Sequence, residues 1–140
     1  MNPAALKANL ADLESGGTII INTDAFTKGN LKKAGYEADP LEDDTLQNYE
    51  VHKLPITTLN RNALEGIEGL TTKDVDRCKN FFALGLTFWI YDRPLDTSLD
   101  FITSKFSKYP IVAQANTAAL QAGYSVGHNT EAFQTRFRIK

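Results

Sequence analysis

At 140 residues, with 42% apolar residues and a single cysteine, the chain is long enough for one domain with its own core, and a lone thiol excludes a disulfide framework or a multi-cysteine zinc or iron–sulfur site built from this chain by itself. A formal net charge of −2, with Lys and Arg spread along the chain, leaves no basic footprint for a phosphate backbone, so no nucleic-acid partner is expected. The start MNPAALKANL lacks the basic and then apolar pattern of a secretory signal, and the apolar run Phe81–Tyr91 stops at Asp92-Arg93-Pro94, short of the roughly 20 residues of a membrane span, so a cytoplasmic protein away from the membrane is expected.

Asn2-Pro3 reads as a helix cap with proline at the first helical position, and Leu6, Leu10 and Leu13 then recur at helical spacing until Ser15-Gly16-Gly17. TIIIN, Thr18 to Asn22, is a continuous β-branched run of the kind found in a parallel strand covered on both faces. Asp24 or Thr23 can cap the short helix TKGNLKKA, which Gly35 closes. The segment from Tyr36 to Asn48 is acidic, proline-containing and aperiodic and predicts an exposed loop. Tyr49 to Leu54 alternates as a second strand ended by Pro55. Thr57 or Thr58 opens a short helix to Leu64, broken by Gly66 and Gly69.

Thr71 and Asp74 have capping-box spacing, and one long helix is predicted from about Lys73 to Tyr91. Being apolar on nearly all sides, it should be a central element, with Gly85 admitting one neighbour closely while Phe88 and Trp89 face the sheet on one side and another helix, domain or subunit on the other. Helices over Ser98–Ser107 and Pro110–Ala122 follow, with Gly123 as the stop, and the tail from Ser125 to Lys140 has little periodicity. The pattern is α/β with a helix-rich C-terminal half. Two strands give TIIIN too few neighbours, however, and Asn2-Pro3 looks like the turn leaving a strand just upstream. The chain therefore reads as a piece of a larger α/β domain.

Neither GxGxxG nor GxxxxGK[ST] occurs, and Gly16-Gly17 precedes a strand, the wrong side for a phosphate-binding helix start. Arg77 and Lys79 flank Cys78 and could lower its thiol pKa, but a cysteine in an apolar helix is usually packing. His52 and His128 have no companion at metal-ligand spacing, and Glu42, Asp43 and Asp44 read as a solvated charge run. Two positions remain as candidate ligand contacts. Asn22, Thr23 and Asp24, with Lys28 a turn later, stand at the carboxyl end of the best strand, where open α/β sheets bind ligands, although capping alone explains these residue types. Lys79 and Asn80 stand at the foot of the apolar helix, where they either reach solvent or bind something.

The TIIINTDAFTKGNLKKAGY block, YEVHKLPIT, RCKNFFALGLTFWIYDRPLD and the ANTAALQAGY helix together resemble the γ domain of 2-oxoacid:acceptor oxidoreductases, in particular the 2-oxoglutarate:ferredoxin oxidoreductases whose α subunit carries that domain ahead of a pyrimidine-binding domain. The resemblance covers Met1 to Glu131. It implies a partial Rossmann-like parallel sheet with flanking helices, residues 1–124 being the latter two-thirds of the γ domain and 125–140 a linker toward the pyrimidine-binding domain. It further implies a whole enzyme that oxidatively decarboxylates a 2-oxoacid to its acyl-CoA with thiamine diphosphate, coenzyme A and iron–sulfur clusters, none of them bound by this segment alone, in an oligomer with a β subunit and with ferredoxin as acceptor. In that family the γ domain is an assembly domain near the coenzyme A end of the site, so no catalytic residue is expected here; Asn22, Thr23, Asp24, Lys28, Lys79 and Asn80 are the positions open to a cofactor. The competing expectations are a stand-alone small-molecule-binding module using the Asn22–Asp24 corner and an oligomerisation module using the Trp89 helix face.

Overall fold

A computed structural model describes residues 1–129, which fall into two compact units, Met1–Pro55 and Ile56 onward. In the first unit, helix α1 (Pro3–Asn9) starts where the sequence places it: the Asn2 side chain accepts from the Ala5 N–H at 2.8 Å and Pro3 takes the first turn. The Leu10–Asp12 stretch tightens into a 3-10 turn, and the chain passes Gly16, at φ +87°, into β1 (Thr18–Asn22). Helix α2 (Lys28–Ala34) closes on Gly35 in the left-handed conformation, and β2 (Glu50–Leu54) pairs with β1 in parallel, Thr18 opposite Glu50 through Asn22 opposite Leu54.

The core of this unit is Leu6, Ile19, Ile21 and Leu46, with Leu10, Leu13, Phe26 and Leu41 packed against it. Ile19 and Ile21 share one face by the strand's period of two, while Ile20 on the other face is only half-buried. The expected double coverage of TIIIN is therefore complete on one face and partial on the other. The 36–48 loop is aperiodic as predicted, but it is not wholly surface, because Pro40 and Leu46 are buried and a 3-10 turn (Asp44–Leu46) delivers the leucine. On the edge of β1 away from β2, the Met1 amino group donates to the Ile20 carbonyl at 2.6 Å and the Asn22 N–H donates to the Met1 carbonyl at 3.0 Å. These are the two bonds of parallel pairing between Met1 and Ile21.

The second unit is helical: α3 (Ile56–Leu64), α4 (Thr72–Arg77), α5 (Lys79–Ile90), α6 (Asp96–Lys105) and α7 (Pro110–Asn129). The Thr71–Asp74 capping box is present in both directions. Three sequence expectations are corrected here. The helix predicted from Lys73 to Tyr91 is two, α4 and α5, meeting at Cys78, whose own N–H bonds back to the Val75 and Asp76 carbonyls in a tightened last turn of α4. The third helix begins at Ile56, directly behind Pro55, rather than at Thr57 or Thr58. Gly123 does not stop α7, which continues to Asn129 and takes in the first residues of the predicted linker; residues 130–140 of that linker lie outside the described residues.

The reason Gly123 lies inside a helix is the approach of α5. Ala115, Ala119, Gly123 and Gly127 recur every fourth residue on α7 and are all buried, while Phe82, Gly85, Leu86 and Trp89 are buried on α5. A side chain at Gly123 would run into the Phe82 carbonyl, and one at Gly85 into the Leu120 carbonyl. The helices thus touch backbone to backbone, with the large residues of α5 filling the space on either side. Phe81 also meets Phe106, just past α6, edge to face at 6.4 Å between ring centroids. Gly85 therefore does admit a close neighbour, and that neighbour is α7.

Gly123→Ala would gain about 1 kcal/mol of helix propensity but has no way to move a backbone carbonyl cheaply, so we expect a net destabilisation of roughly 3 kcal/mol, read by urea unfolding through the fluorescence of Trp89. Gly127→Ala, whose added carbon meets only the Trp89 side chain at 3.0 Å, should cost clearly less. Equal stability of Gly123→Ala and the parent would refute the backbone contact.

Candidate functional site

At the carboxyl end of β1 the Asn22 side chain is spent on local structure. The Asn22 side chain is buried, and its Oδ1 accepts from the Asp24 N–H at 3.3 Å, capping a 3-10 turn over Thr23–Ala25. That turn displaces the start of the next helix, so neither Asp24 nor Thr23 caps α2; Thr27 does, its hydroxyl accepting from the Asn30 N–H at 3.2 Å. Thr23 is half-buried, while Asp24 and Lys28 are exposed. The corner is a turn and a cap, and it presents one exposed cation, Lys28, to solvent.

Lys79 and Asn80 open α5 and are both exposed. They line an open recess of about 620 Å³ together with Thr72, Lys73, Asp76 and Arg77. Asp76 is held by Arg61 of α3 in a two-pronged pair, Nε to Oδ1 at 3.0 Å and a terminal nitrogen to Oδ2 at 2.9 Å, and that guanidinium keeps its carboxyl below the usual carboxylate range. With its acid engaged by Arg61, the recess presents the cations Lys73, Arg77 and Lys79 beside the neutral donors Thr72 and Asn80. That set suits an anion. Thr72, Lys73 and Arg77 were not among the ligand contacts that sequence reasoning named, Arg77 being weighed only as a neighbour of Cys78; the available signal was the Lys73–Arg77 spacing of four, which puts both on one helix face with the start of α5 beyond them.

The remaining titratable candidates are structural. Cys78 is 2% exposed and its Sγ donates to the Asp74 carbonyl at 3.3 Å. The flanking Arg77 and Lys79 do not activate it; burial, with the Asp74 carboxylate adding to it, pushes the thiol up to about 11. His52 is buried in β2, its Nε2 lying 3.4 Å from Glu50 Oε1 on the same strand. Asp43 caps the Asp44–Leu46 turn through the Thr45 N–H at 2.8 Å, so part of the acidic run has a structural task, while Glu42 and Asp44 are exposed. Asn60, fully buried, donates to the Val75 carbonyl at 2.8 Å and joins α3 to α4, its Oδ1 having no hydrogen-bond partner among the described residues. Among the described residues no helix is long and apolar enough to cross a membrane.

A two-stranded parallel sheet with flanking helices and a helical second unit agrees with a partial Rossmann-like α/β domain, and the sequence matches the family described as pyruvate ferredoxin/flavodoxin oxidoreductase over residues 1–126. The chain belongs to that family. Within it, the chain is 52% identical over 139 residues to the 2-oxoglutarate oxidoreductase subunit KorA of Mycobacterium tuberculosis (strain ATCC 25618 / H37Rv), an alignment covering 99% of this chain and 21% of that protein. The chain thus spans about a fifth of the length of the curated relative it matches. No solved structure matches it.

The buried thiol makes a sharp expectation. At pH 8 the native protein should react with a disulfide reagent at least about 100-fold more slowly than the urea-unfolded chain, because little thiolate is present and Cys78 is covered. The native rate should climb roughly tenfold per pH unit toward 11 for as long as the fold persists. Native reactivity at pH 8 equal to that of the unfolded chain would show an activated thiol and overturn the packing role of Cys78.

Proposed function

We propose that the chain is a segment of the α-type subunit of a 2-oxoacid:ferredoxin oxidoreductase acting on 2-oxoglutarate, and that the segment contributes fold and subunit assembly rather than the redox centre. The observation that carries this reading is the 52% identity across 99% of the chain to a protein named as a 2-oxoglutarate oxidoreductase subunit, within a family match over residues 1–126. The residues themselves support the structural role: the Asn22 side chain at the strand end caps a turn, the one thiol is protonated and covered, and the longest described helices close on each other through glycine.

The whole enzyme would release carbon dioxide from the 2-oxoacid, join the acyl group to the coenzyme A sulfur, and pass the electrons to ferredoxin. Thiamine diphosphate and the clusters supply that chemistry when bound, and the residues of this chain do not fit an iron–sulfur cluster, since its single cysteine is buried and bonded to a carbonyl. Coenzyme A phosphates do fit the recess at the α4–α5 junction, where Lys73, Arg77 and Lys79 offer charge and Asn80 offers an amide donor. At the strand end, with Asn22 and Thr23 drawn into the turn, a cofactor contact by the Asn22, Thr23, Asp24 and Lys28 group would run through the exposed Lys28. A β subunit, the remaining α-subunit domains and a ferredoxin are the partners this reading requires, in a cytoplasmic complex.

The test is an assembled enzyme. The longer subunit purified with its partner subunit should reduce a viologen dye with 2-oxoglutarate and coenzyme A, and the 140-residue chain alone should not. Reduction by the isolated chain would overturn the assembly role, and an assembled enzyme active with pyruvate but not with 2-oxoglutarate would overturn the substrate. In the same enzyme, Lys79→Ala combined with Lys73→Ala should raise the KM for coenzyme A by about 10-fold or more, the worth of one charge-assisted contact, with kcat within about twofold. An unchanged KM would remove the recess from the cofactor's path while leaving the subunit assignment intact.

A further inference from the structure

We propose that Arg61 of α3 is a positioning residue for the recess at the α4–α5 junction: by taking up Asp76 it keeps the one carboxylate on the recess lining away from Lys79, and so leaves Lys73, Arg77 and Lys79 to hold a phosphate or diphosphate group. This deepens the reading of the recess as a phosphate site and rests on it. The lining consists of Thr72, Lys73, Asp76, Arg77, Lys79 and Asn80, three cations against one acid. Asp76 and Lys79 stand three positions apart, the spacing at which helical side chains meet. The Asp76 carboxyl is held below its usual range chiefly by the Arg61 hydrogen bonds, with the charges of Arg61 and Lys79 adding to them. Asp76 and Lys79 therefore share a field, and an Asp76 carboxylate without Arg61 would compete with an incoming anion for that lysine.

The packing of α3 on α4 fixes this pairing. Asn60, fully buried, donates to the Val75 carbonyl at 2.8 Å, and the next residue on each helix supplies the pair, Arg61 Nε to Asp76 Oδ1 at 3.0 Å and a terminal nitrogen to Oδ2 at 2.9 Å. One planar fork thus occupies both carboxylate oxygens. Asp74, the other acid of α4, is off the lining; the Thr71 hydroxyl and N–H donate to its carboxylate at the helix start, and the fields of Arg77 and Lys73 add to those bonds. Among the described residues the side chains of Lys73, Arg77 and Lys79 make no ion pair. Three such cations beside a hydroxyl and an amide donor suit a group with more than one charge and several acceptor oxygens, a phosphate or diphosphate rather than a lone carboxylate.

The test uses the longer subunit assembled with its partner subunit, inorganic pyrophosphate as the probe, and hydrogen exchange of the 72–80 segment as the readout, which separates this site from any other that takes the same anion. Pyrophosphate should slow exchange there. Its half-saturating concentration should rise about fivefold in Arg61→Gln, the effect of one unit charge several ångströms from the anion near a protein surface. It should fall by about twofold or more in Asp76→Asn and return to within about twofold of the parent in the double variant, and salt at about 0.5 M should shrink these differences. Opposite shifts of the two single variants mark a charge effect, whereas a tie that only holds α3 to α4 would weaken binding in both. Weakening in both, no change in either, or no protection by pyrophosphate would each overturn the proposal. Where Arg61→Gln fails to assemble, Asp76→Asn decides alone, tighter binding supporting the role of Arg61 and unchanged or weaker binding refuting it. Coenzyme A that leaves the segment unprotected while pyrophosphate protects it would remove the cofactor reading and leave the role of Arg61 standing.

Discussion

The helical unit depends on one contact: the main chain of α5 against the main chain of α7 at Gly85 and Gly123. Two helices that meet at this distance cannot separate their ridges with side chains, so the large residues of α5 are forced to the flanks. That is why Phe82, Leu86 and Trp89 are buried although α7 presents Ala115, Ala119, Gly123 and Gly127 to the contact. The small-residue spacing of four on α7 is the 4-type ridge along which helices pack most often. Each glycine costs helix propensity, about 1 kcal/mol against alanine, and the close approach offsets this with dispersion contacts over several turns. The extreme hydrophobicity of α5 follows from having few exposed turns and from no need for polar side chains on either flank of the seam.

The strand unit has the opposite character. Its sheet is only two strands wide, and two parallel strands are not stable by themselves. What holds it is the cluster of Leu6, Ile19, Ile21 and Leu46, together with ties at both ends of the pairing. The Gly16 N–H donates to the Asn48 carbonyl and the Glu50 N–H to the Gly17 carbonyl, and the Thr18 hydroxyl reaches Glu50 at 3.3 Å. At the far end Asn22 carries the register across to Met1 and also caps the following turn. One buried residue therefore does two structural tasks, the pairing through its backbone N–H and the cap through its side-chain Oδ1, and removing the side chain would take the cap from the Asp24 N–H.

Much of this was legible in the residues, where a local rule decided the outcome. Pro3, Gly35 and the Thr71–Asp74 pair marked helix ends because capping chemistry acts over three or four residues. TIIIN and the Glu50–Leu54 alternation marked strands, and their parallel sense followed from an intervening helix. Failures came where a distant backbone overrode a local rule. Gly123 carried a stop signal, but a carbonyl of another helix occupies the space that gives this glycine its purpose. Cys78 lay inside an unbroken helical pattern, and the join it marks between α4 and α5 leaves no signature in periodicity. At the candidate sites the partners were hidden: the Arg61 that takes up Asp76 lies 15 positions away, and the turn that takes up Asn22 displaced the cap to Thr27.

These observations bear on what a segment of this kind contributes. A reactive site needs polar groups left over after folding has used its share, and here three buried side chains are engaged by the main chain: Asn22 by the turn that follows it, Asn60 by the Val75 carbonyl of another helix, and Cys78 by the Asp74 carbonyl one turn back in α4. What remains uncommitted is charge, in a recess whose cations outnumber its one engaged acid. A cationic recess is completed by an anion, so chemistry at this segment would be supplied by the groups that dock on it. That division of labour fits a chain that spans about a fifth of the length of the curated relative it matches.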